Sequence, residues 1–161
     1  MKNIEKFELP EIGKKAPELN LINDEGEKIK LKDFKGKNLV LYFYPKALTP
    51  GCTVQACGIT DTKKQFEKLN TVIVGVSADP QKKLNQFREK YKLNFILASD
   101  QDLETAKAYG SFGLKKFMGR EYMGILRQTF IIDTSGKLRH IMEKVNTKTH
   151  HDDVIKIIKT L

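Results

Sequence analysis

The sequence predicts an α/β fold: a mixed central β-sheet flanked by helices. Three observations carry this expectation. Short apolar runs of strand length alternate with amphipathic stretches of helical period along most of the chain. Two of those runs, Asn38 to Tyr44 (NLVLYFY) and Thr71 to Ser77 (TVIVGVS), are continuous, as strands buried on both faces are. The last strand-like run is followed by a turn and a returning strand, which argues against an all-parallel sheet.

Taken in order, Asn23-Asp24-Glu25-Gly26 reads as a turn, and Ile29 and Leu31, alternating with lysines, as a short strand after it. Asn38 to Tyr44 is the first core strand. Pro45, Pro50 and Gly51 then break the chain into a tight loop, and Cys52 falls in the first turn of the helix that follows. Phe66 and Leu69 recur at helical spacing before the second core strand, Thr71 to Ser77. Pro80 is placed to open a helix carrying Leu84, Phe87 and Tyr91 on one face. A shorter strand is expected over Phe95 to Ala98. A helix with Leu103, Ala106 and Tyr109 comes next and stops at Gly110. Lys115, Lys116 and Arg120, with Phe117 and Met118 among them, are expected in a solvated loop. Thr129 to Asp133 is a strand, Thr134-Ser135-Gly136 a turn, and Leu138 to Met142 its hairpin partner. Val154, Ile157, Ile158 and Leu161 stripe a final helix, with His150 and His151 starting it in solvent. No repeat, low-complexity segment or linker interrupts the chain, so residues 1–161 are expected to form a single domain.

Composition narrows the function. The chain of 161 residues is 40% apolar and 30% charged, which is the balance of a globular protein. No apolar run approaches the roughly 18 residues of a membrane span. The N-terminal MKNIEKFELP lacks the apolar segment a secretory signal needs, so the expected compartment is the cytoplasm. The net charge of +9 raises the question of nucleic acid, but the lysines are dispersed and no recognition motif accompanies them. No nucleic-acid or membrane partner is expected. The two cysteines, Cys52 and Cys57, point to redox chemistry or to part of a metal site. Structural zinc takes four ligands with closely paired cysteines, whereas His140, His150 and His151 lie far downstream, so no metal is expected.

The informative segment is YFYPKALTPGCTVQAC, residues 42–57. The reactive form of cysteine is the thiolate, and the free amides and partial positive charge of a helix N-terminus favour it. Pro45, Thr49 and Cys52 match the P-x-x-x-T-x-x-C signature of peroxiredoxins, and the fuller run resembles the bacterioferritin-comigratory-protein or PrxQ subfamily. The resemblance extends over nearly the whole chain. Gly13-Lys-Lys-Ala-Pro17 resembles the family's opening motif, Asp33-Phe-Lys-Gly-Lys37 its approach to the first core strand, and Gly124 to Asp133 its late arginine-bearing strand.

The resemblance implies a thioredoxin-like fold with an N-terminal extension and an antioxidant thiol peroxidase that needs no cofactor. It implies that Cys52 is the peroxidatic cysteine, oxidised to a sulfenic acid by hydrogen peroxide or organic hydroperoxides, which leave as water or alcohols. Cys57 matches the resolving cysteine that closes an intramolecular disulfide in many subfamily members. Thr49 carries a hydroxyl able both to donate to and accept from a peroxide. Pro45 matches the family proline that shields the pocket from water, and Arg127 the family arginine that steadies the thiolate and the charge developing on peroxide. Gln55 departs from the pattern, standing where many other peroxiredoxins carry glutamate. The family's usual reductant is thioredoxin, with glutaredoxin or glutathione as alternatives, and many members are monomers.

Three other functions use the same residues. A cysteine hydrolase needs a histidine base beside the nucleophile, and none of the three histidines lies in a hydrolase motif. A disulfide oxidoreductase usually shows C-x-x-C, whereas this chain has C-x-x-x-x-C. A redox sensor would share the Cys52 chemistry without turnover.

Overall fold

A computed structural model describes residues 6–161. Its elements run β1 (Leu21–Asn23), β2 (Lys28–Ile29), a 3-10 turn (Leu31–Phe34), β3 (Asn38–Phe43), α1 (Pro50–Asp61), α2 (Lys63–Lys68), β4 (Thr71–Ser77), α3 (Gln81–Tyr91), β5 (Ile96–Ser99) and α4 (Glu104–Ala108). β6 (Phe112–Phe117), β7 (Arg120–Ile125), β8 (Gln128–Ile132), β9 (Leu138–Met142) and α5 (His150–Ile158) complete the chain. Seven strands form one sheet in the order β2-β1-β5-β4-β3-β8-β9. The central β3, β4 and β5 are parallel, and the strands outside them antiparallel. The sheet is therefore mixed, and β8–β9 is the closing hairpin the sequence calls for.

The apolar runs become central strands because both sheet faces are covered. Along β3, Leu39, Leu41 and Phe43 enter one core, while Val40, Tyr42 and the following Tyr44 enter the other. The first core is closed by Ala106 and Tyr109 and by the N-terminal segment through Ala16, Leu19 and Leu21. That segment is tied to the sheet edge by the bridge Lys15–Lys137 and by the bond from Gly13 N–H to the Leu138 carbonyl. The second core is built by α1, α2, α3 and α5 through Ala56, Ile59, Phe66, Leu84, Phe87, Val154 and Ile158, and it contains Cys52. In the β3–β4 register Tyr42 faces Gly75. A Cβ on Gly75 would stand 2.8 Å from the Tyr42 ring, so glycine there makes room for a wholly buried tyrosine.

Residues 112–125 form a hairpin, not the expected solvated loop. Met118 and Gly119 make its turn with positive φ of 50° and 78°. The strands escape a period-2 reading because both faces are largely open: Leu114, Phe117, Tyr122 and Met123 are exposed along with the charges. Leu31 also departs from expectation, lying in the 3-10 turn after a two-residue β2. Pro80 is the cap before α3, not its first residue. Among the described residues no helix is long and apolar enough to cross a membrane.

Candidate active site

The site lies where β3 ends and α1 begins. Thr49 is the cap residue of α1, and Pro50 takes the first helical position, where its missing N–H costs nothing. Cys52 is third in the helix and only 2% exposed. The loop before it is tightly tied. The Asp79 carboxylate accepts from the Ala47 amide at 2.7 Å and from the Ser77 hydroxyl at 2.8 Å. Leu48 adopts a left-handed φ of 67°, a strained conformation for a residue with a branched side chain. The Thr49 hydroxyl does not cap the helix. It donates to the Lys46 carbonyl at 2.8 Å and so keeps its lone pairs free. Pro45 is half-buried at the exit of β3.

Arg127 reaches this loop from the other side. The β3–β8 register pairs Phe43 with Gln128, which places Arg127 just past the strand pair. Its Nη2 donates to Cys52 Sγ at 3.2 Å, and its Nη1 donates to Gln55 Oε1 at 2.6 Å. One guanidinium thus bridges two residues a helical turn apart. Gly51 lies directly beneath it, a Cβ there standing 3.6 Å from Nη2, which is ordinary contact distance. Lys115 is also close, its Nζ donating to the Ile125 carbonyl at 2.9 Å. Burial and the Arg127 charge both push the Lys115 pKa down.

A histidine completes the arrangement. His150 is fully buried, not in solvent as the sequence suggests. Gln55 Nε2 lies 3.1 Å from its Nδ1, and Thr129 Oγ1 lies 2.8 Å from its Nε2. The Tyr42 ring packs against it edge-on at 5.4 Å. Burial lowers its pKa to about 4, so the imidazole is neutral at neutral pH. Cys57 shares α1 with Cys52, and both are free thiols. Burial, and then the Asp61 carboxylate, raise the Cys57 pKa, so at neutral pH it is a thiol. Among the described residues no three His, Cys, Asp or Glu side chains converge as a metal site requires.

The AhpC/TSA family model matches residues 12–141. Peroxiredoxin Bcp of Bacillus subtilis strain 168 is 48% identical over 151 residues, covering 94% of this chain and 96% of the relative. This chain belongs to the peroxiredoxins, in the Bcp/PrxQ branch. Peroxiredoxin Bcp of Escherichia coli K12 is 44% identical over 89% of this chain and 92% of its own length. The fold agrees as well. The bacterioferritin comigratory protein of Xanthomonas campestris, described for its alkyl peroxide reduction activity, superposes with a TM-score of 0.84. It is 30% identical over 93% of this chain and 98% of that one. The thioredoxin-like peroxiredoxin fold read from the sequence is thus the one found, and the chain belongs to a family of peroxidases.

Within this peroxiredoxin, Pro45, Thr49 and Cys52 form one continuous loop and helix start, with Arg127 bonded to Cys52 across the site. Gln55, His150 and Thr129 are additions that the sequence did not disclose as members of the site. The signal available for Gln55 was its departure from glutamate. His150 and Thr129 carry no local signal, because their partners lie far away in sequence.

Proposed function

We propose that this peroxiredoxin reduces hydrogen peroxide and organic hydroperoxides through a cycle carried by Cys52 and Cys57, with thioredoxin as reductant. The observation that supports it best is the Arg127–Cys52 bond at the N-terminus of α1. A guanidinium and unpaired helix amides there stabilise negative charge on sulfur. The Cys52 thiolate attacks one peroxide oxygen. The O–O bond breaks, the departing oxygen leaves as water or alcohol after taking a proton, and Cys52 becomes the sulfenic acid. Thr49 positions the peroxide through its free lone pairs, Arg127 stabilises the charge on the departing oxygen, and Pro45 keeps water out. Cys57 then attacks the Cys52 sulfur, water leaves, and a disulfide closes. A dithiol reductant returns both thiols. The cycle runs on sulfur alone, in the cytoplasm and in a monomer.

The disulfide requires motion. Five residues of α-helix rise about 7.5 Å and turn about 500°, leaving the two Cα atoms roughly 8.7 Å apart with side chains roughly 140° apart. A disulfide needs Cα atoms within about 7 Å and converging Cβ vectors. The first turns of α1 must therefore unwind after Cys52 is oxidised.

Cys57→Ser tests the cycle. Peroxide should still oxidise Cys52, detectable as a dimedone adduct by mass, while steady-state turnover with thioredoxin collapses. Full thioredoxin-linked turnover in this variant would remove Cys57 from the cycle. Turnover of wild type with glutathione or glutaredoxin, but not thioredoxin, would replace the reductant and leave the cysteine chemistry standing.

A further inference from the structure

Resting on the Cys52 and Cys57 assignments above, we propose that His150 is a positioning residue: it latches α1 in its helical form, aiding the peroxide step and opposing the disulfide step. It does so from α5, an element that carries none of the reacting atoms.

The bond directions are fixed by one group. Arg127 has only donors, so the Gln55 atom that meets it is the carbonyl Oε1. The Gln55 amide nitrogen then points at His150 Nδ1, which must accept. Nε2 therefore carries the proton and donates to Thr129 Oγ1. The chain runs Thr129, His150, Gln55, Arg127, Cys52 with every link satisfied. A neutral imidazole is needed for it, since Nδ1 can accept only when unprotonated. His150 itself does not touch the sulfur. It fixes which way the Gln55 amide faces, and through Gln55 the aim of Arg127.

The same contacts bear on the motion. Gln55 lies on α1 between the two cysteines, so unwinding that brings Cys57 to Cys52 must break its bonds to Arg127 and His150. A second hold sits just beyond Cys57. A Cβ on Gly58 would come within 2.4 Å of His151 Nδ1, so α5 presses against α1 where only glycine fits. The first two residues of α5 thus touch α1 on both sides of Cys57, at Gln55 and at Gly58. Attack on peroxide removes the negative charge from Cys52 and with it the strongest reason for Arg127 to stay. The His150 bond to Gln55 is then the hold that remains, and α1 is released when it breaks.

The test separates the two steps in stopped-flow fluorescence or quenched mass analysis. His150→Leu keeps the volume and removes both bonds. Oxidation of Cys52 should slow by about tenfold, the net worth of roughly one hydrogen bond, while disulfide closure speeds up by several-fold. His150→Asn keeps an acceptor near the Nδ1 position and should recover most of the first rate. Equal rates for wild type and His150→Leu in both steps, or Asn no better than Leu, would overturn the latch. If His150→Leu does not fold, imidazole ¹⁵N shifts of the wild type decide. The latch requires Nε2–H with unprotonated Nδ1 in the reduced form and a changed Nδ1 shift in the disulfide form. Identical shifts in the two forms would refute it. If wild type shows no disulfide phase at all, the Cys57 assignment fails and the latch with it. A normal wild type with an unaffected variant sinks the latch alone.

Discussion

Cys52→Ser is expected to abolish peroxide turnover. The serine hydroxyl is far less acidic than a thiol and much less nucleophilic at neutral pH, and its oxygen cannot pass through a sulfenic acid. Cys57 is not expected to take over, because it is a thiol whose pKa burial and Asp61 raise further, and Arg127 donates to Cys52 and Gln55 instead. The substitution is nearly isosteric at a buried position, so the fold should survive, and a melting curve on the same sample checks that. Hydroperoxide loss coupled to a thiol reductant measures the effect. Residual turnover within about tenfold of wild type would mean that the nucleophile lies elsewhere.

Arg127→Ala is expected to have the next largest effect. It deletes the donor 3.2 Å from the Cys52 sulfur and the partner of the Gln55 carbonyl. Loss of one preorganised donor aimed at developing charge slows a reaction by about 10²–10³ in well-studied enzymes. The first oxidation of Cys52 should slow by that factor, with folding stability reduced by about 1–3 kcal/mol from the unpaired buried Gln55 carbonyl. Stopped-flow oxidation with a denaturation curve separates the two. An unchanged oxidation rate would make Arg127 a structural bridge between β8 and α1 and nothing more.

Much of this was written in local sequence. β3 and β4 are legible because strands buried on both faces carry unbroken apolar runs, as Leu39–Phe43 and Val72–Val76 do within them. The β8–β9 hairpin was legible from its turn residues. The β6–β7 hairpin was not, since Lys115, Lys116, Arg120 and Glu121 share their faces with exposed Leu114, Phe117, Tyr122 and Met123. Neither a period of two nor a continuous run survives such mixing. In the site, Pro45, Thr49 and Cys52 share one short loop and helix start, so the match to the family's P-x-x-x-T-x-x-C signature marks them together. Arg127 reaches Cys52 across 75 positions and was found only through the family resemblance. His150, with His151 at the start of the last helix, reads from sequence as solvent-facing. What buries it comes from Tyr42, Gln55 and Thr129, which no window around residue 150 contains.

The most direct measurement is hydrogen exchange on wild type before and after one equivalent of hydrogen peroxide, with the Cys52–Cys57 bond verified by peptide mass. α1 carries both cysteines as a regular helix in the reduced form. Residues 52–60 should therefore be protected in the reduced protein and lose that protection in the disulfide form, while the β3–β4 core exchanges alike in both. Equal protection of residues 52–60 in a protein carrying the mapped bond would contradict the unwinding of α1. A Cys52 sulfenic acid beside an unreacted Cys57 thiol would contradict the two-cysteine cycle itself.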